Sequence, residues 1–131
     1  MSTAPTTLLG LVPLIRALVN SATDATATTV TADDSGSLFI DKSTSTHTYT
    51  LPAIALGAGK AFMFFKLGTG TMTIASAGSL DNIVAFNDVA ADSVSFGTTN
   101  EKIGGAMLII GDGTYWYAMN MSAGANTVTV A

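Results

Sequence analysis

One histidine, nine acidic residues and five cations are the groups from which this 131-residue chain must build any charged reactive site. His47 sits in the alternating run Thr46-His47-Thr48-Tyr49-Thr50, which puts it on one face of a strand beside threonines. A metal site needs partners, and there is no second histidine and no cysteine, so His47 reads as structural or solvated. The acids Asp24, Asp33, Asp34, Asp41, Asp81, Asp88, Asp92, Glu101 and Asp112 fall nearly all at expected turns, where aspartate bonds its own backbone. Glycoside hydrolysis needs two carboxylates held across a cleft. Only Asp112 stands beside an aromatic platform, Trp116. Asp112-Gly113 lacks the surrounding D-x-[DN]-x-[DN]-G ladder of a calcium loop. No G-x-S-x-G elbow occurs. Gly57-Ala58-Gly59-Lys60 lacks the spacing of a phosphate-binding loop and leads into a strand rather than a helix. The reading assigns no catalytic, cofactor-binding or metal-binding residues, and expects a protein that is not an enzyme and takes no cofactor.

Composition points to partners instead. Apolar residues make up 48% of the chain and charged residues 11%, about half the usual charged share. A surface so poor in charge suits burial against other proteins better than life as a free monomer. Net charge is −4, and the cations Arg16, Lys42, Lys60, Lys66 and Lys102 are scattered. Binding to nucleic acid by phosphate neutralisation is therefore not expected. The apolar stretch Leu8–Val19 is too short to span a bilayer. It lacks the cationic lead of a signal peptide and is interrupted by Pro13 and Arg16. Synthesis in the cytosol and no membrane contact are the expectations.

Three zones follow along the chain: 1 to about 23, 24 to about 36, and 37–131. Residues 1–36 read as an N-terminal arm and linker. Within the arm, 13–20 fits a short helix with Pro13 in its first turn; Leu14, Ile15, Leu18 and Val19 share one face and Leu11 lies just upstream. A helix of this length is marginal alone. It must pack on its own domain or on a neighbouring subunit or scaffold. Ala27–Thr31 fits a strand and Asp33-Asp34-Ser35-Gly36 a turn.

Residues 37–131 read as a β-domain. Strands are expected at Ser37–Asp41, Thr46–Leu51, Ala61–Leu67, Thr71–Ala75, Ile83–Phe86, Ser93–Phe96, Ala106–Ile110, Tyr115–Met121 and Thr127–Val130. They are short, broken by Gly, Asn, Asp and Ser, and spaced as in a sandwich or small barrel. No internal repeat is evident. The fold class is therefore all-β: a small antiparallel sandwich, jelly-roll-like, or a barrel. The clearest local signal is Gly111-Asp112-Gly113-Thr114 between two β-prone runs, a hairpin turn. Alternation puts Phe62 with Phe64 on one face, and Tyr115 with Tyr117 opposite Trp116. These last three are core or interface anchors, and exposed tyrosines also suit sugars.

The order Thr50-Leu51-Pro52, Gly59-Lys60-Ala61-Phe62 with Phe64, Thr73-Ile74, Asp81-Asn82-Ile83, Gly104-Gly105 and Ile110-Gly-Asp-Gly-Thr-Tyr-Trp-Tyr117 resembles small β-domains of tailed-bacteriophage virion proteins. These are capsid decoration (cement) proteins and also tail-fibre or spike modules. The resemblance covers roughly residues 35–120 and carries no catalytic residues. It implies a homotrimer on the capsid exterior that clamps adjacent capsomers, with the major capsid protein as partner. The arm residues Leu11, Leu14, Ile15, Leu18 and Val19 would touch the shell or a neighbouring subunit. The alternative is a tail-fibre or spike module that binds surface glycans through Tyr115, Trp116 or Tyr117.

Overall fold

The computed structural model describes residues 16–20, 26–97, 102–122 and 128–131, the first of these stretches as backbone alone. Among them twelve strands form two sheets. They are β1 (Arg16–Asn20), β2 (Ala27–Thr29), β3 (Ser37–Asp41), β4 (His47–Thr50), β5 (Ala61–Lys66), β6 (Met72–Ala75), β7 (Ile83–Ala85), β8 (Asp88–Ala91), β9 (Ser93–Phe96), β10 (Ala106–Gly111), β11 (Trp116–Asn120) and β12 (Thr129–Val130). One sheet has the order β1-β3-β5-β10-β11-β7-β8 and the other β12-β9-β6-β4-β2.

From β1 to β6 the chain alternates between the sheets, and each strand lies parallel to the one two before it. Arg16, Ser37 and Phe62 stand side by side in one sheet, and Ala27, Thr48 and Thr73 in the other. One turn of the coil therefore takes 21 residues and the next 25, in both sheets alike. The connections stack as well as the strands do. Gly68 donates to Asp41 O at 2.9 Å and Gly70 to Ser43 O at 3.0 Å. A Cβ at either glycine would collide with the backbone of Lys42–Ser43 or of Ser45, so only glycine permits this approach. After β6 the direction reverses: β9 pairs antiparallel with β6, and β10 with β5.

Inner faces meet as alternation predicts. Tyr49 of β4 lies 5.5 Å from Phe39 of β3 and 5.2 Å from Phe64 of β5, ring centre to ring centre, so aromatic rings bridge the two sheets. Met72, Ile74, Val94 and Phe96 complete the core from one side, and Phe62, Ile83, Met107, Ile109 and Trp116 from the other, all buried.

Three expectations are corrected. The short helix over 13–20 is not what forms at 16–20, where the chain is the edge strand β1, in register with Ser37–Asp41; residues 13–15 lie outside the described stretch. A helix that short cannot supply its own stability, whereas pairing to β3 supplies a ladder of backbone hydrogen bonds. The sheets are mixed rather than antiparallel, because the coil repeats its path. They are open, with β1, β8, β2 and β12 at their edges, and do not close into a barrel. A strand at Asp88–Ala91 was not expected from its sparse apolar pattern.

Candidate functional site

The outward positions of the seven-stranded sheet are the most unusual part of the molecule. Register lines up Leu38, Met63, Leu108 and Met119 across β3, β5, β10 and β11. A second row is Ile40, Phe65 and Ala106, and a third is Ala61, Ile110, Tyr117 and Val84. None of the eleven carries a formal charge. They are half-buried, except Met119 and Tyr117, which are 41% and 38% exposed. At ordinary strand spacing the patch measures roughly 24 by 14 Å, some 340 Å², within the range of the largest apolar patches on monomers, which are often functional. Between β3, β5 and β10 it opens into an apolar depression of ≈ 190 Å³ lined by residues including Ala61, Met63, Leu108 and Ile110.

The outer face of the five-stranded sheet is chemically opposite. Its rows run Ala27, Thr48, Thr73, Ser95 and Thr129, then Thr29, Thr50, Ala75 and Ser93. Hydroxyls there satisfy water, so this face has no need of a cover. Of the two outer faces, only the apolar one gains free energy from meeting a partner, at about 25 cal/mol per Å² of apolar surface removed from water.

The anchors separate as alternation predicts. Trp116 is completely buried, its ring centre 5.8 Å from that of Phe62, so it is a core residue that offers no face to a glycan. Tyr115 and Tyr117 are partly exposed. Asp112 organises the hairpin: its Oδ1 accepts from the Thr114 and Tyr115 amides, and its Oδ2 from the Tyr117 hydroxyl at 2.6 Å. The tyrosine bond, then the two amides, hold the Asp112 carboxyl below its usual range, and the same carboxylate pushes the Tyr117 phenol up. Gly113 takes φ +93°, as the turn requires. Leu18 and Val19 lie on β1, whereas Leu11, Leu14 and Ile15 fall outside the described residues.

His47 is buried on the inner side of β4, hydrogen-bonded through Nε2 to Thr28 Oγ1 at 2.7 Å and through Nδ1 to Ser43 Oγ at 3.4 Å. Close by lies an ion pair that sequence reading missed. Lys66 Nζ donates to Asp41 Oδ2 at 3.0 Å and to Ser43 O at 3.1 Å, with both side chains wholly buried. The parity of Phe62-Phe64-Lys66 and of Phe39-Asp41 was the available signal, since each charge follows its strand's inward-facing residues. Asp81 and Asp88 crowd Asp92. A hydrogen bond with Asp81, then burial, then both neighbours' charges raise the Asp92 carboxyl. Among the described residues no cluster of three or more His, Cys, Asp or Glu is arranged to hold a metal ion.

No family model matches the chain, and neither curated proteins nor solved structures give a match.

Proposed function

We propose that this chain is a structural virion protein: a capsid decoration protein of a tailed bacteriophage. It forms a homotrimer that sits on the outside of the head and clamps adjacent capsomers of the major capsid protein. The observation that carries the reading is the uncharged, apolar outer face of the seven-stranded sheet, set against a hydroxyl-rich face on the other side. The resemblance of the motif order to phage virion β-domains supports it. Buried in an assembly, the apolar face contributes affinity without any reactive group, and symmetric repetition over a shell multiplies weak single contacts. The patch is under half the roughly 800 Å² per partner of a standard stable interface. Further contact must come from outside it, and the apolar residues Leu11, Leu14 and Ile15, ahead of β1 in the sequence, are suited to add it.

Light scattering tests the self-assembly. The wild type is expected at three times the protomer mass at micromolar concentration. Leu108→Glu places a charge at the centre of the outer face without touching the core, and is expected to give a folded monomer with unchanged far-UV circular dichroism. A monomeric wild type, or a trimeric Leu108→Glu, contradicts the reading.

A further inference from the structure

Phe86 stands where a phenylalanine has no reason to be on intramolecular grounds. It occupies the two-residue turn between β7 and β8, where Ala85 pairs with Asp88. Its φ is +54°, the left-handed region that glycine or asparagine fills in such turns at little cost. A bulky residue there is strained. The side chain recovers little by packing, for it is 64% exposed, the most exposed aromatic among the described residues. Val89, on the adjoining strand, is 69% exposed. A strained, solvated aromatic knob at the tip of a hairpin is the kind of outlier from which an inference to function is sound.

The same chain carries a matching hole. The depression of ≈ 190 Å³ on the outer face is lined almost wholly by apolar groups, Ala61, Met63, Leu108 and Ile110 among them, and it opens where Ala61 and Gly36 bring little or no side chain. An apolar cavity of about 150 Å³ is enough to take a benzene ring. Phe86 cannot fill its own chain's hole. The sheet order β5-β10-β11-β7-β8 puts three to four strand spacings, roughly 14–19 Å, between them.

We propose that Phe86 of one protomer inserts into the depression between β3, β5 and β10 of a second copy of this chain. Knob and hole lie at different places on the surface, so the contact is head-to-tail, and it forms a ring when the rotation closes. This inference rests on the trimer proposed above and deepens it: three such contacts, each burying one Phe86, close the ring. It also accounts for the strain, since the turn pre-sets the side chain away from its own domain and toward the neighbour.

Two variants and their mixture test it by light scattering, beside the wild type. Phe86→Gly removes the knob and relieves the backbone, so its melting temperature is expected at or near that of the wild type while the protein is monomeric. Ala61→Trp fills the hole from outside the core and is also expected to be monomeric. Mixed in equal amounts, the pair restores one sound contact, the Phe86 of Ala61→Trp in the hole of Phe86→Gly, and is expected to yield a dimer and nothing larger. A wild-type trimer with an equally trimeric Phe86→Gly overturns this inference alone. A wild type that never assembles overturns both this inference and the trimer reading. A mixture that remains monomeric overturns the head-to-tail pairing.

Discussion

Lys66→Met is expected to cost about 3–5 kcal/mol of folding free energy, read as a lower urea midpoint at unchanged slope. The size follows from what is left behind. Asp41 is wholly buried, and its Oδ2 accepts from Lys66 Nζ. Without the ammonium a carboxylate stays in a core made of Phe39, Tyr49 and Phe64, with the Ser43 amide still donating to Oδ1. Lys66 also reaches Ser43 O, so it ties β5 to the connection leaving β3. The pair itself is another matter. Replacing both partners, as in Asp41→Leu with Lys66→Met, removes both charges and is expected to recover most of the loss. A single variant as stable as the wild type would mean that water reaches Asp41.

Trp116→Ala is expected to cost a similar amount, about 3–5 kcal/mol, as large-to-small changes in a packed core do. Its indole lies against two glycines. A Cβ on Gly57 would come within 2.6 Å of Cη2 and one on Gly111 within 2.7 Å of Cζ3, so the backbone has closed onto the ring with no slack. Removing the ring leaves a hole that the Gly57 turn, the end of β10 and Phe62 must fill. The indole Nε1 is buried with no hydrogen-bond partner among the described residues, so Trp116→Phe also relieves an unsatisfied donor and is expected to cost far less than alanine. Thermal or urea unfolding checks both. Were Trp116→Ala to unfold like the wild type, the aromatic would not be the core anchor of the hairpin.

Local structure was legible where local chemistry decides it. Ser37–Asp41 and Ser93–Phe96 formed with the expected bounds, and the Asp112-Gly113 turn formed as its residues require. The facing of Phe62, Phe64 and Trp116 followed from a two-residue period. The candidate site was half visible. Ala61-Phe62-Met63-Phe64-Phe65 and Ala106-Met107-Leu108-Ile109-Ile110 are continuous apolar runs, the pattern of strands covered on both sides. What could not be read was which strands stand together. The coil repeats its path over 21 and then 25 residues with different side chains each time, so no fixed period appears in the sequence. At 16–20 an apolar run fits either a helix or a strand, and a neighbour distant in sequence, Ser37–Asp41, decides it. Phe86 gave no signal at all, because what sets it apart is a backbone angle and its exposure among the described residues.

The claim beneath all of this is that the protein is building material of a phage shell. Reconstruction of the intact particle, with the chain identified by mass spectrometry of the purified virions, tests it most directly. The account predicts density for this fold on the outer surface of the head, in trimers, in numbers comparable to the shell's own subunits. Density confined to the tail, or particles that lack the chain, would contradict it.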